Sequence, residues 1–121
     1  MLSKNDIQAF LDRMARAYCA QDAQACAALF TENAQVHSPF GAPAVGRAAI
    51  EALHRDWVSE PSAKAFLILD HGSADTLAWC LCRFSEGDKT GDGTSLLVME
   101  QQPDGAWLIR SCCLHGDPEP E

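Results

Sequence analysis

Four side chains in this sequence carry the chemistry of proton transfer and anion stabilisation: His54, His115, Arg83 and Glu100. Imidazole titrates near neutral pH, burial raises a Glu toward it, and a guanidinium stabilises negative charge developing on a reacting oxygen. With His54 or His115 as base and Arg83 as stabiliser, such a set would serve a cofactor-independent isomerase, cyclase or dehydratase. Its rate would then follow a group titrating at about 6 to 7, the free histidine range. Each residue also has a structural role open to it. A histidine in a helix stripe is ordinarily a core residue with a satisfied hydrogen bond, and Arg83 with Glu100 on neighbouring strands would make a cross-strand pair. Cys113 beside His115 has the makings of a nucleophile, but two positions along a strand separate backbones by about 7 Å. Six cysteines are present, and their spacing argues against a disulfide scaffold or a metal site. Cys112 and Cys113 are adjacent and point to opposite faces of a strand, Cys80 and Cys82 alternate in an apolar run, and no CxxC occurs. They read as small buried hydrophobes. The run SEGDKTGDG lacks the ligand spacing of a calcium loop, and no glycine-rich phosphate loop follows a strand. No cofactor and no metal are expected.

Local periodicity assigns the elements that must position these residues. Ile7, Phe10, Leu11, Met14 and Tyr18 follow helical spacing, with Ser3 or Asn5 as cap. Asp22 opens a second helix, AQACAALF, closed by Thr31, Glu32 and Asn33. AQVHS, residues 34 to 38, reads as a short strand and PFGAPAVG as a loop. A third helix follows Gly46 with the stripe Ile50, Leu53, His54 and Trp57, and Pro61 limits it. Four strand-like runs follow: AKAFLILD, DTLAWCLCRF, GTSLLVMEQQ and GAWLIRSCCLH, joined by a His-Gly-Ser turn, a polar loop and Pro103-Asp104-Gly105. Helices followed by an antiparallel meander give an α+β fold.

These strands do not alternate apolar with polar. Leu77, Trp79, Leu81 and Arg83 share one face of their run, and Ala78, Cys80, Cys82 and Phe84 the other. Ser111, Cys113 and His115 likewise share a face with Trp107 and Ile109. Three short helices cover only one side of such a sheet, so the second side is expected to meet another copy of the chain across a two-fold axis.

A chain of 121 residues with 47% hydrophobic and 21% charged residues suits one globular domain and excludes the disordered and collagen-like classes. A net charge of -8, with the basic residues scattered, argues against nucleic acid and anionic membrane as partners. The opening MLSKNDIQAFLDRM resembles neither a secretory signal nor a transit peptide, and a cytoplasmic location is expected.

The stretch AYCAQDAQACAALFTENAQVHSPFGAPAVGRAAIEAL, followed by a meander ending PDGAWLIRSCCLHG, resembles the nuclear transport factor 2-like superfamily, near its SnoaL-like and ketosteroid-isomerase-like branch. The resemblance implies a cone-shaped α+β roll, with three N-terminal helices packed on a curved, mainly antiparallel sheet that encloses an apolar pocket. Residues 1 to 116 would form the domain and 117 to 121 an acidic tail. The isomerase's catalytic positions fall on Ser38, Met14 and Val98 or Met99, which offer neither a base nor acidic donors, so that reaction is not expected. The positions implied to line the pocket begin with Met14 and Tyr18 on the first helix, and Ser38 and Phe40 after it. Leu53, His54 and Trp57 follow on the third helix, then Trp79, Leu81 and Arg83. Val98 and Glu100, then Ser111, Cys113 and His115, complete the set. The function expected is binding of a small apolar metabolite in a homodimer joined through the outer sheet face. A cofactor-independent enzyme using the pocket histidines and a protein-interaction module are the alternatives.

Overall fold

Ser3 starts the longest helix by a reciprocal cap: its hydroxyl accepts from the Asp6 amide at 3.1 Å, while the Asp6 carboxylate accepts from the Ser3 amide at 3.0 Å. The helix it opens, α1 (Lys4–Cys19), buries Ile7, Phe10, Leu11, Met14, Ala17 and Tyr18 along one stripe. Asp22 caps α2 (Ala23–Ala27) by accepting from the Ala25 amide. At the corner between them Gln21 adopts φ 55°, and its side-chain amide donates to the carbonyls of Val58 and Ser59 at 3.1 and 3.2 Å. That corner is thereby tied to the end of α3 (Arg47–Trp57). The start of α3 is held in turn by Arg47, whose guanidinium donates twice to the Phe30 carbonyl.

The computed structural model describes residues 2–39, 41–59, 64–85 and 92–116. Six strands follow one another as β1 (Phe30–Ser38), β2 (Gly41–Val45), β3 (Ala65–Ala74), β4 (Leu77–Ser85), β5 (Gly93–Gln101) and β6 (Trp107–Gly116). They form one open sheet in the order β2-β1-β6-β5-β4-β3, antiparallel except for the β1–β6 pair. With the three helices this is the α+β architecture expected. Among the described residues no helix is long and apolar enough to cross a membrane.

Three local expectations are corrected. The second helix stops at Ala27, and Phe30 already belongs to β1. Where PFGAPAVG was expected to loop, β2 pairs back on β1 with Val36 opposite Ala44. Pro43 is tolerated there because β2 is an edge strand, with one row of amides unpaired. The expected His-Gly-Ser turn lies inside β3, and the chain reverses at Asp75 and Thr76 instead. Gly72 is needed there for space: a Cβ at this position would stand 2.5 Å from the Trp79 indole nitrogen, because that ring lies across the glycine. Pro61 and the middle of SEGDKTGDG fall outside the described residues.

The inner face of the sheet is set by β4, where Ala78, Cys80, Cys82 and Phe84 are buried. Cross-strand pairing carries the same face to Ser95, Leu97 and Met99 on β5. On β6 the register shifts: Met99 pairs with Ile109 but Val98 with Ser111, so Arg110 is an extra residue and the alternation changes phase. Cys112 then faces the core.

Gly46, which caps α3 at φ 90° and ψ 152°, sits in a backbone region that essentially only glycine occupies. Gly46→Ala is expected to lower the unfolding free energy by about 1 to 3 kcal/mol, seen as a lower urea midpoint at unchanged slope. Gly41→Ala, where a Cβ meets nothing within 4 Å, is the control and should stay within about 0.5 kcal/mol of the parent.

Candidate functional site

Between the helical layer and the inner sheet face lies a cavity of about 20 Å³, room for about one water molecule. Helix α1 contributes Met14 and Tyr18 to its wall, and β1 contributes Phe30 and Val36. His54 and Trp57 come from α3, while Lys64 and Phe66 come from the start of β3. Ser95 and Leu97 on β5, with Cys112 and Leu114 on β6, form the floor.

His54 reaches the cavity because it shares the inward stripe of α3 with Ile50. It is 1% exposed, and its ring lies against Tyr18, Phe30 and Trp57 at centroid distances of 5.6, 5.6 and 5.1 Å. Its Nδ1 is 2.8 Å from the Ile50 carbonyl oxygen. A carbonyl only accepts, so Nδ1 carries the proton and Nε2 keeps a lone pair. Burial, reinforced by the positive charge of Lys64 and opposed by the bond to Ile50, brings the imidazole pKa down to about 4. The ring is neutral at physiological pH, well below the range of 6 to 7 expected of a histidine base.

Lys64 is 8% exposed. Its ammonium nitrogen stands over three aromatic faces, 4.4 Å from the centroid of Tyr18, 4.7 Å from Phe84 and 5.5 Å from Phe66. Cation–π attraction between an ammonium and ring faces is strongest when water is absent. Ser95 is 3% exposed, and among the described residues its hydroxyl has no hydrogen-bonding partner. A buried hydroxyl in that state costs free energy that a water or a ligand atom in the cavity would recover. The neighbouring thiols are inert. Burial pushes Cys112 up to about 12 and Cys26 up to about 11, and a hydrogen bond with Cys80 together with burial pushes Cys82 up as well. All three stay protonated at neutral pH and are neither nucleophiles nor ligands.

Of the residues singled out from the sequence, Met14, Tyr18, His54 and Trp57 come together at this cavity. Leu53 packs half-buried against the core beside it, and Ser38 lies at the end of β1 opposite Gly41. Phe40 is outside the described residues. The strand residues lie on the far side of the sheet. Trp79, Leu81 and Arg83 alternate with the buried set of β4, and Val98 and Glu100 with that of β5. Ser111, Cys113 and His115 are turned outward by the phase change in β6. Nor do Arg83 and Glu100 face each other: Arg83 sits opposite Thr94, and Glu100 bonds Arg110 at 3.3 Å. Two apolar faces on one strand gave no basis for choosing between them, and the bulge carries no sequence signature. Lys64 and Ser95 were missed: a lysine at the start of a strand-like run and a lone serine within one carry no mark of burial in the sequence.

The pKa of His54 makes stability pH-dependent. The unfolded chain binds its proton near the ordinary value of 6.5 and the folded chain only near 4, so the neutral-ring contribution is complete above 6.5 and is lost as pH falls through that window. The loss amounts to about 3 kcal/mol. Urea unfolding at pH 7.5 and pH 4 should show the parent losing that much more than His54→Gln, whereas equal losses would place the ring in water.

The SnoaL-like domain model matches residues 7–107. No curated protein matches the chain. Among solved structures, a cystatin-like-fold domain of unknown function from Nostoc punctiforme is 23% identical with a TM-score of 0.78, over 96% of this chain and 78% of that one. A putative calcium/calmodulin-dependent protein kinase II association domain from Xanthomonas campestris is 18% identical with a TM-score of 0.79, over 98% and 90%. A ketosteroid isomerase-like protein from Erwinia carotovora atroseptica is 16% identical with a TM-score of 0.73, over 95% and 99%. At these identities the structures share a fold and nothing more specific. The family model, extending from α1 to the start of β6, carries the assignment: the chain belongs to the SnoaL-like family.

Proposed function

We propose that this protein binds a small, mostly apolar molecule in the cavity between its helices and the inner sheet face. The observation that carries this reading is the convergence of His54, Lys64 and Ser95, all buried, on a wall otherwise made of aromatic and aliphatic side chains. Ligand sites have that composition, with few polar groups fixing orientation on an apolar surface. A volume of about 20 Å³ means that entry requires wall side chains to move. Binding is favoured over acid–base turnover because a proton acceptor near pH 4 is poorly matched to catalysis at neutral pH. Six free thiols support a reducing, cytoplasmic setting.

The outer sheet face supports the homodimer. Leu67, Leu69, Leu77, Trp79 and Leu96 are exposed there, and pairing places Leu81 beside Leu96 and Trp79 beside Val98 in continuous apolar rows. A second copy using the same face would cover them symmetrically.

Two measurements test these readings. Thermal unfolding against a panel of steroids, aromatic polyketides, terpenoid epoxides and short fatty acids should reveal a stabilising compound. At 100 times its dissociation constant the gain is about 2.7 kcal/mol, and silence across the panel would overturn the ligand reading. Sedimentation at micromolar concentration should give a dimer that Leu96→Glu converts to a monomer. A monomeric parent chain would instead turn the apolar face into a surface for a different protein.

A further inference from the structure

We infer that the molecule seated in this cavity is an uncharged, mostly apolar alcohol or phenol, whose hydroxyl donates a hydrogen bond to Nε2 of His54. The inference rests on the ligand reading above and adds the polarity of the ligand's polar group. His54 is 1% exposed and lines the cavity, and its Nδ1 proton is committed to the Ile50 carbonyl. Nε2 is the ring nitrogen left for an occupant of the cavity, and among the described residues it has no hydrogen-bonding partner. It accepts and does not donate, because burial keeps the ring neutral at physiological pH. Leaving a buried acceptor unmet costs free energy, and only a donor recovers it. Other ligand chemistries fit less well. A carboxylate only accepts, so it sets its lone pairs against that of Nε2. An ammonium donates, but no Asp or Glu among the described residues lines the cavity to pair its charge, and an unpaired buried charge is costly. A ketone or an ether leaves the nitrogen unmet. The Ser95 hydroxyl, buried on the same wall, both donates and accepts, so it admits each of these and the choice falls to His54. The open space of about 20 Å³, room for about one water molecule, is the size of a hydroxyl and smaller than an amide. Met14, Val36, Leu97 and Leu114 offer apolar contact to the hydrocarbon or aryl body.

The test is calorimetric titration of the full chain with pairs that share a skeleton: cyclopentanol against cyclopentanone, cyclohexanol against cyclohexanone, and phenol against fluorobenzene. In at least one pair the hydroxyl compound is expected to bind about ten-fold more tightly, the scale of one buried hydrogen bond. His54→Phe, which removes the acceptor and keeps an aromatic ring, should bring the two affinities together. In nitrogen NMR of the parent chain labelled at histidine, the Nε2 resonance of His54 should differ between the two bound states of that pair. If the hydroxyl compounds bind the parent no better than their partners, or if the Nε2 resonance is the same in both bound states, the hydroxyl inference fails while the ligand reading stands. If no member of any pair binds, both fail. The affinity comparison and the NMR comparison are made within the parent protein, so poor folding of a substituted chain does not obscure the outcome.

Discussion

Volume on the inner face of β4 governs the arrangement of the rest. Ala78, Cys80 and Cys82 are small, and they leave the space that Ile7, Leu11 and Met14 of the first helix occupy in the core. Turning the strand over would force Leu77, Trp79 and Leu81 into that space, and overpacking of this kind is destabilising in its own right. Once β4 is oriented, its neighbours have no freedom. Register with β5 sends Ser95 and Leu97 inward, and register with β6 sends Cys112 inward. The bulky outer residues are a by-product of the same choice, and so is the apolar surface they make. Trp79 is partly accommodated by lying over Gly72, and on the inner side the Phe84 ring covers Gly93 in the same manner. Two glycines and two aromatics thus fill each other's space across the sheet, on opposite faces.

The cavity is what remains after this packing. Its wall contains the three polar side chains that are buried among the described residues, the Lys64 ammonium, the Ser95 hydroxyl and the His54 imidazole held neutral by burial. A protein selected for stability alone would do better with aliphatic residues at Lys64 and Ser95, because buried polar groups stabilise less than well-packed hydrophobic ones. Their retention in one small space is the physical argument for a ligand. Three aromatic faces, those of Tyr18, Phe84 and Phe66, lie against the Lys64 ammonium and offset part of the cost of burying it.

How far the sequence revealed all this depended on the kind of signal. Helical stripes were legible because they recur: Ile7, Phe10, Leu11, Met14 and Tyr18 could only face one way, and His54 was correctly set on the inward side of α3. Caps were legible because Ser3 and Asp22 have few other reasons to stand where they do. Strand facing was not, since Leu77 and Ala78 are both apolar and only the volumes of their surroundings distinguish them. Lys64 was invisible as a site residue for a different reason. A lysine at the start of a strand is ordinarily a surface residue, and only the three-dimensional gathering of Tyr18, Phe66 and Phe84 makes it otherwise. Ser95 offered no signal at all.

The one parallel pairing in the sheet joins residues 30 to 37 with residues 109 to 113. It bears on how the chain is made. On a ribosome the three helices and β1 appear early, with the apolar stripes of Ile7, Leu11 and Ile50 exposed, and β6 is made last. Without β6 the sheet is split into β2–β1 and β5–β4–β3, and Leu97 and Phe30 have no common floor. Loop-closure entropy for so distant a contact must be met before any of its packing is gained, which sets this pairing among the most costly of the sheet to initiate. A nascent chain halted short of Trp107 is therefore an aggregation hazard rather than a partly working protein, and its open β1 and β5 edges are where neighbouring copies would join.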